Sequence, residues 1–263
     1  MRLFQIDAFA QERFKGNPAA VCIVEEELNV EMMQAIASEM NLSETAFVKV
    51  YADHCNIRWF TPAREVPLCG HATLASSFVL YTEGYWPTHK TIEFDSLSGP
   101  LYVDYTEEGL RLDFPSQMPQ TLSSGQLADY NEQFDIELHE VLEVPNEMIF
   151  IFKNEQELLA FDPDDKKVAN LAQNGLIISA WSARSKVDFI SRYFAPNLGI
   201  KEDPVTGFMH TILTPYWANR KGKTSFKAYQ ASERGGNLGL ALSGDRVLIT
   251  GHAVKVFETT LSI

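Results

Sequence analysis

The chain has 263 residues, 45% of them hydrophobic, and an excess of acidic over basic residues gives it a formal net charge of −13 at pH 7. An acidic chain without a basic run argues against nucleic acid and anionic membrane surfaces as partners, so we expect a small-molecule substrate. The length suits one large domain or two of about 130 residues each.

The first half is predicted to contain strands and two helices. Apolar residues predict strands at 1–9 and Ala19–Val24, joined by a polar loop that contains Asn17 and is able to reach a ligand site. Apolar side chains on helical spacing predict a helix over Leu28–Met40, and Glu44 follows at the threshold of an apolar strand. Further strands are predicted at Thr91–Phe94, Leu101–Tyr105 and Gly109–Phe114.

The second half is preceded by an acidic, poorly patterned segment, Ser116–Asn146, which contains the predicted domain boundary and a short helix over Glu137–Leu142. A glycine-rich segment, Gln230–Gly236, contains Arg234 and is as typical of an ordinary hairpin loop as of a loop over a ligand site. Strands are predicted at Met148–Lys153, Gly175–Ala180, Val187–Phe194, Ser225–Tyr229, Gly239–Leu242, Val247–Thr250 and His252–Phe257.

One motif occurs twice. Arg-aromatic-Phe-x-Pro followed by Glu-x-Pro-x-x-Gly occupies residues 58–70 and again 192–207, with three extra residues between the two blocks in the second copy. Each first block predicts a strand that its proline ends, and the stretch after each glycine predicts a helix that begins near Gly70 or Gly207. The agreement in order predicts an internal duplication. We therefore expect similar halves at 1–115 and 116–263, with the last strand packing back on the first half and the active site in the cleft between them.

The two repeated glycines predict seats for an anion. Glycine lets the backbone approach a ligand closely, and the N–H groups of the first helical turn carry positive partial charge. His71 follows Gly70, and its ring is able to donate a hydrogen bond to a substrate. The alternative is a histidine at a helix start whose ring bonds the backbone and has no role in binding. Asp203 precedes the second glycine and is able to orient a substrate amine or hydroxyl, or simply to cap the helix.

Glu44 is the candidate acid–base residue, because apolar neighbours at a strand start are able to raise a carboxyl pKa toward working pH, although most such glutamates are only solvated. Cys69 in the first seat is a second candidate. Its counterpart in the second seat is Thr206, whose unactivated hydroxyl is too weak a base for two-base racemisation.

Other features of the sequence exclude common cofactors. The histidines lack metal-binding spacing, and no glycine loop of the nucleotide-binding type occurs, so we expect no metal and no dinucleotide or ATP. Three cysteines without a paired spacing predict free thiols. No apolar stretch is long enough to span a bilayer and the amino terminus is typical of a strand, so we expect a cytoplasmic protein.

Motifs along most of the chain resemble the PhzF (phenazine biosynthesis-like) family of the diaminopimelate-epimerase fold. The resemblance implies an α+β fold of two similar domains related by a pseudo-twofold axis, each a curved, mostly antiparallel sheet around a central helix. It also implies a homodimer and catalysis without a cofactor. The matching segments are Asp7–Phe9, Phe14–Ala20, Ser43–Phe47, Arg58–Thr73, Arg192–Gly207 and Gln230–Gly236.

The activity that the resemblance implies is isomerisation of trans-2,3-dihydro-3-hydroxyanthranilate, in which a glutamate moves a proton between ring carbons. Glu44 would be that glutamate, and the amides around Gly70, His71 and Gly207 would hold the substrate carboxylate. The predicted substrate-binding set is His71, Asp203, Gly70, Gly207, Asn17 and Thr206, with Cys69, Phe208 and Arg234 as further candidates.

Phe208 departs from the family pattern, because many members have serine there. The loss of a hydroxyl donor predicts a different substrate or a narrower cleft. Three hypotheses follow: a cofactor-independent isomerase that uses Glu44, a racemase or epimerase that uses Cys69 and a second base, and a non-catalytic small-ligand-binding protein on the same scaffold.

Overall fold

The computed structural model describes residues 1–262, so the last residue of the predicted second half, Ile263, lies outside the described residues. The chain forms two compact units. The first comprises Met1–Phe114 together with the chain from Leu248, and the second comprises Pro115–Val247.

Strands dominate the described part of the chain, and six α-helices accompany them. The strands are β1 (Arg2–Ala8), β2 (Asn17–Ile23), β3 (Glu44–Val50), β4 (Cys55–Phe60), β5 (Glu65–Val66), β6 (Ile92–Asp95), β7 (Leu101–Thr106), β8 (Gly109–Pro115), β9 (Gln120–Thr121), β10 (Leu138–Val144), β11 (Glu147–Phe152), β12 (Gly175–Trp181), β13 (Phe189–Ala195), β14 (Ile200–Glu202), β15 (Ser225–Gln230), β16 (Gly236–Ser243), β17 (Arg246–Gly251) and β18 (Ala253–Thr260). The helices are α1 (Val30–Met40), α2 (Gly70–Thr82), α3 (Ser124–Phe134), α4 (Glu155–Ala160), α5 (Asp165–Ala169) and α6 (Gly207–Lys221), with a 3-10 turn at Pro196–Leu198.

The two units repeat one strand order. In the first, β1–β2 is antiparallel, β2–β3 parallel, β3–β4 antiparallel, β4–β6 parallel and β6–β7 antiparallel. In the second, β10–β11, β11–β12, β12–β13, β13–β15 and β15–β16 pair in the same sequence of directions. This is the internal duplication that the repeated motif predicts. Strand β18 belongs to the first unit, where it pairs antiparallel with β1.

A helix beginning at the repeated glycine forms the core of each unit, as predicted. Helix α2 is buried over most of its length and packs against β1, β2, β3, β7 and β18, which is possible because its residues are small or apolar nearly all round. Its hydroxyl groups are satisfied within the helix: Ser76 donates to the Ala72 carbonyl at 2.7 Å and Ser77 to the Thr73 carbonyl at 2.8 Å. Helix α6 is buried in the same way at Gly207 and from Met209 to Trp217, while Phe208 is exposed.

The repeated arginine and glutamate form the same ion pair in both units. Arg58 donates two hydrogen bonds to Glu65, both of 2.7 Å, and Arg192 donates two to Glu202, of 2.8 and 3.0 Å. Each pair joins the strand before the loop to the short strand after it. The three extra residues of the second copy are accommodated by the 3-10 turn that begins at Pro196.

The helix predicted over Glu137–Leu142 is wrong, because this segment forms strand β10. Its residues pair with β11 across a two-residue hairpin turn on one side and with β9 on the other, so strand pairing outweighs local helix propensity. Helix α3 was missed in the same segment although it carries a signal, since Ser123 and Gln126 form a capping box. Helices α4 and α5 were also missed, and each begins after a capping residue, Asn154 and Asp164.

The remaining global predictions concern thiols and membrane spans. Cys22, Cys55 and Cys69 are buried free thiols, as predicted, and burial raises the pKa of Cys22 and of Cys55 to about 12. Within residues 1–262, every helix is too short or too polar to cross a membrane.

Candidate active site

Glu44 and His71 are brought together in the first unit. Glu44 is the first residue of β3, where it lies beside Ala19 of the parallel strand β2, and His71 is the second residue of α2. Nε2 of His71 lies 3.2 Å from Oε2 of Glu44, and the imidazole is only 5% exposed. The contact lacks the alignment of a hydrogen bond, so among the described residues Nε2 is a buried polar atom without a formed bond.

The side-chain amide of Asn17 fixes the tautomer of the His71 ring. The side-chain amide of Asn17 lies 3.2 Å from Nδ1, and Sγ of Cys69 lies 3.5 Å from the same atom. Since Asn17 Oδ1 accepts from the Ser43 hydroxyl at 3.3 Å, its NH2 group is the end that faces the ring. Burial lowers the pKa of His71 to about 3. The ring is therefore neutral at physiological pH, accepts at Nδ1 and carries its proton on Nε2, toward Glu44.

Asn17 is held in place by the loop before β2. The Phe14 N–H donates to Oδ2 of Asp7 at 2.6 Å, and Asp7 is fully buried. Gly16 has a φ of +65°, and a Cβ atom there would lie 2.1 Å from the Ala8 carbonyl oxygen. Only glycine fits at that position, so a constrained loop presents the Asn17 amide to the histidine.

The amino terminus of α2 lies beside this pair. Cys69 is its N-cap residue but its side chain makes no capping bond, and the first turn contains no acidic residue. The Thr73 hydroxyl donates to the Cys69 carbonyl at 2.6 Å. The positive end of the helix, around Gly70, is therefore not neutralised by its own side chains, which suits the binding of an anion.

Asp203, Thr206 and Gln230 form a hydrogen-bonded cluster in the second unit. The Thr206 hydroxyl donates to Oδ2 of Asp203, and the Thr206 backbone N–H donates to Oε1 of Gln230 at 2.7 Å. Nε2 of Gln230 donates to the Asp203 carbonyl at 2.8 Å and to Oγ1 of Thr206 at 3.2 Å. Both donors of Thr206 are thus engaged within the protein.

Helix α6 begins at Gly207, directly after this cluster. Nδ1 of His210 donates to the Thr206 carbonyl at 2.8 Å, and Nε2 lies 3.2 Å from the Ser191 hydroxyl. The bond to Thr206 corresponds to the bond that the Thr73 hydroxyl makes to the Cys69 carbonyl in the first unit. Burial lowers the pKa of His210 to about 4, so this ring is also neutral. The N-cap residue makes no side-chain capping bond, and Phe208 in the first turn is 41% exposed.

Arg234 is half-buried in the glycine-rich loop at 231–235. That loop is attached to the segment that contains Asp203, because the Ser232 hydroxyl donates to the Pro204 carbonyl at 2.7 Å. Gly235 has a φ of +66°, and a Cβ atom there would lie 2.1 Å from the Tyr229 hydroxyl oxygen. The sequence left open whether this is an ordinary hairpin loop or a loop over a ligand site, and the bond to Pro204 places it beside Asp203 and Thr206.

One group of side chains has the chemistry of metal ligands. Glu44, Cys69 and His71 each offer one ligand atom, and these atoms lie within 4.8 Å of one another. Their closest approaches are to different ring nitrogens, however, since the carboxylate faces Nε2 and the thiol faces Nδ1. The two nitrogens of an imidazole point in different directions, so the carboxylate and the thiol lie beside different edges of the ring, unlike ligands that surround one ion.

The predicted site residues therefore fall into one cluster in each unit. Asn17, Glu44, Cys69, Gly70 and His71 lie together in the first. Asp203 and Thr206 lie together in the second, directly before Gly207 and Phe208. The residues that were missed are Asp7, Ser43, Ser191, His210 and Gln230, of which Asp7, Ser43 and Gln230 occur in the motifs of the sequence while only the fold reveals their contacts.

Comparison with known proteins gives a consistent result over nearly the whole chain. The family described as phenazine biosynthesis-like protein (PhzC-PhzF) matches residues 6–259. The chain is 44% identical to an uncharacterized isomerase of Pseudomonas aeruginosa over 256 residues, which cover 97% of this chain and 96% of that protein. It is 40% identical to the human phenazine biosynthesis-like domain-containing protein over 290 residues, covering 99% and 98%.

Solved structures agree with these sequences. The crystal structure of a phenazine biosynthesis protein of the PhzF family from Enterococcus faecalis has a TM-score of 0.93 and 41% identity, with 100% of this chain and 99% of that chain covered. A probable proline racemase from Agrobacterium radiobacter has a TM-score of 0.62 at 10% identity, covering 100% and 93%, which is a likeness of fold.

Proposed function

Because the chain belongs to the phenazine biosynthesis-like (PhzF) family, we propose that it is an isomerase that moves a proton on a small carboxylated substrate bearing an amine or hydroxyl group, without a cofactor. The observation that carries the proposal is the pair of Glu44 with a neutral, buried His71, 3.2 Å apart. A carboxylate and an imidazole with its proton fixed on one nitrogen supply a base and a hydrogen-bond donor at one point.

In the proposed reaction Glu44 is both base and acid. Its carboxylate removes a proton from one carbon of the substrate, the carbon–carbon double bond moves by one position, and the protonated Glu44 delivers one proton to a second carbon. While the proton is on the Glu44 carboxyl it exchanges with solvent, so in heavy water the second carbon receives deuterium. One residue ends in its starting state, so atoms and charge balance within a single turnover. The reaction class is that of trans-2,3-dihydro-3-hydroxyanthranilate isomerisation, and the substrate itself remains a prediction.

His71 would serve as a donor rather than as a second base. Its Nδ1 lone pair accepts from the Asn17 amide, so Nε2 keeps its proton. Because the contact with Glu44 is not an aligned hydrogen bond, this N–H is suited to an acceptor oxygen of the substrate while Glu44 works on the adjacent carbon.

The substrate carboxylate is assigned to the helix amino termini. The N–H groups around Gly70 and His71 in the first unit, and around Gly207 in the second, belong to first turns that contain no acidic residue. Asp203 is assigned to the amine or hydroxyl of the substrate, because its carboxylate already has the orientation that Thr206 imposes. These assignments are proposals for the individual residues.

Two-base racemisation is the weaker alternative. It needs an acid or base on each face of one carbon, but the Cys69 thiol is directed at His71 Nδ1 and the Thr206 hydroxyl donates to Asp203. A hydroxyl that donates to a carboxylate is a poor base. A Cys69→Ser variant is therefore expected to retain its proton-exchange activity, whereas a racemase based on Cys69 would lose it.

The proposal is tested by proton exchange in heavy water, followed by mass spectrometry. The compounds are trans-2,3-dihydro-3-hydroxyanthranilate and a panel of small amino and hydroxy acids. We expect wild-type protein to exchange a carbon-bound proton and Glu44→Gln to lose at least about a thousandfold of the rate, since the amide has nearly the same shape but cannot take the proton. Glu93→Gln, a change of an exposed glutamate on β6, is the matched control.

The three hypotheses give different results in this experiment. Exchange that persists in Glu44→Gln contradicts the assignment of the base. Binding without exchange for every compound indicates the non-catalytic binding protein instead.

A further inference from the structure

We infer that Gln230 is a positioning residue that orients Asp203, the second unit's proposed substrate contact. The inference rests on the proposed function only for the role of Asp203. Gln230 is the last residue of β15 and is fully buried. Its amide reaches both ends of the segment 203–206, which we call the aspartate loop.

The hydrogen bonds of Gln230 have a fixed direction. Oε1 accepts the Thr206 N–H, while Nε2 donates to the Asp203 carbonyl and to the Thr206 hydroxyl oxygen. Because Oγ1 of Thr206 accepts from Gln230, its own hydrogen is left for Oδ2 of Asp203. The chain of donors therefore ends on the carboxylate of Asp203 and sets the direction from which it is bonded.

The first unit provides an internal comparison. The Ser232 hydroxyl donates to the Pro204 carbonyl at 2.7 Å, and in the first unit Ser98 donates to the Pro67 carbonyl at 2.8 Å. The serine tether between the two loops thus occurs in both copies. We therefore interpret this serine hydrogen bond as part of the repeated structure and not as a feature specific to the second unit.

The Gln230 contacts occur in one copy only. Strand β15 pairs with β13 as β6 pairs with β4, and extending that register places Ser96 at the position of Gln230. Ser96 donates to the Gly99 carbonyl instead of to the repeated loop, and Val66 stands where the second copy has Asp203. The buried amide and the aspartate therefore occur together in the second unit and are both replaced in the first. This co-occurrence supports a role for the Gln230 amide in orienting Asp203.

Replacing Gln230 with glutamate keeps the size and the acceptor Oε1 but removes both donors. A carboxylate oxygen would then face the Asp203 carbonyl, and the Thr206 hydroxyl would turn its hydrogen toward the new carboxylate and away from Asp203. The hydrogen bond from Ser232 remains in the variant, as does the bond from the Asp203 N–H to the Tyr193 carbonyl at 2.9 Å, so the loop keeps these attachments.

The test is a double-mutant cycle of Gln230→Glu and Asp203→Asn, read as kcat/KM in the exchange assay. We expect Gln230→Glu to lower kcat/KM about tenfold in wild type but less than about twofold in the Asp203→Asn background, because residues that act through one contact are not additive. Thr206→Ser, which keeps the hydroxyl, is expected to stay within about threefold of wild type, and Thr206→Val to match Gln230→Glu. Equal losses in both backgrounds would show a merely structural role and overturn the inference.

Gln34→Glu is the matched control. Nε2 of Gln34 donates to the carbonyls of Thr61 and Pro62 at 2.9 and 3.1 Å. This change therefore also removes hydrogen bonds from a side-chain amide to a loop, but to a loop of the first unit that does not contain Asp203. It is expected to leave kcat/KM within about twofold of wild type, since no substrate contact is assigned to that loop.

A crystal structure of Gln230→Glu, compared with one of wild type at the same pH, needs no substrate. A rotated Asp203 carboxylate supports the inference, and an unmoved one overturns it. If wild-type protein exchanges no proton on any compound, the proposed function fails while this structural comparison still decides the role of Gln230.

Discussion

Glu147 provides a quantitative test of how burial acts on an acidic side chain of this fold. It lies at the start of β11 with only 3% of its surface exposed. Tyr193 donates to both of its carboxylate oxygens at 3.1 Å, and Asn174 donates to Oε1 at 2.9 Å. Burial raises the pKa of Glu147 from 4.5 to about 7, and these hydrogen bonds only partly oppose the effect.

The sign of the effect on stability follows from the direction of this shift. Because the folded state has the higher pKa, it binds more protons than the unfolded state between pH 4.5 and about 7. The contribution of Glu147 to the free energy of unfolding is fully present below pH 4.5 and is lost as the pH rises through about 7. At about 1.4 kcal/mol for each pH unit, a shift of this size corresponds to about 3 kcal/mol.

The perturbation is Glu147→Gln, whose amide oxygen still accepts from Tyr193 and Asn174 but carries no charge at any pH. The measured quantity is the free energy of unfolding of the variant minus that of wild type. We expect this difference to be larger at pH 8.5 than at pH 4.5, by up to about 3 kcal/mol. Urea unfolding of both proteins, at a series of pH values between these limits, gives the difference curve.

The difference curve removes the contribution of other groups. The lowered pKa values of His71 and His210 make stability rise with pH up to about 6.5, but they do so equally in both proteins and cancel. Glu143→Gln, which changes an exposed glutamate on β10, controls for the loss of a surface charge. A Glu147→Gln variant whose stability varies with pH as wild type does would refute the reasoning.

Two further predictions concern the loop that presents Asn17. Asn17→Asp is expected to draw the His71 proton to Nδ1 and to raise the pKa of that ring from about 3, which nitrogen-15 NMR of the imidazole measures directly; an unchanged tautomer would contradict the role given to Asn17. Gly16→Ala is expected to cost more than about 2 kcal/mol in urea unfolding, because left-handed strain adds to a clash with the Ala8 carbonyl. Gly84→Ala, with a φ of +78° and no atom within 4 Å of the added carbon, should cost only the strain, and equal costs would show that the clash is absent.

Features encoded by neighbouring residues were predictable from the sequence. The helices that begin at Gly70 and Gly207 follow from a glycine before a small or apolar stretch, and Glu44 was placed correctly at the start of a strand. The repeat itself predicted that two units share one order of elements. In each case the pattern and the structure that it specifies lie within a few residues of each other.

Contacts between distant residues were not predictable in the same way. Asn17 and His71 are separated by 54 positions, and Asp203 and Gln230 by 27. A pattern shows which residue types are present, whereas hydrogen bonds of this kind depend on how strands are ordered in the sheet. The error at Glu137–Leu142 has a different origin, because β10 pairs with β11 across a two-residue turn and the sequence signal of this hairpin was overlooked.

The arginine–glutamate pair has a practical consequence for labelling this protein. In each unit the pair joins the chain across the segment between its proline and its glutamate, which is two residues long after Pro62 and five residues long after Pro196. The same junction therefore already tolerates two lengths, because the ion pair rather than the intervening residues fixes where the following loop begins. Within the longer segment Leu198 is exposed and precedes strand β14, so we expect a fluorophore-bearing cysteine at this position to leave Glu202 and the helix beyond it in place.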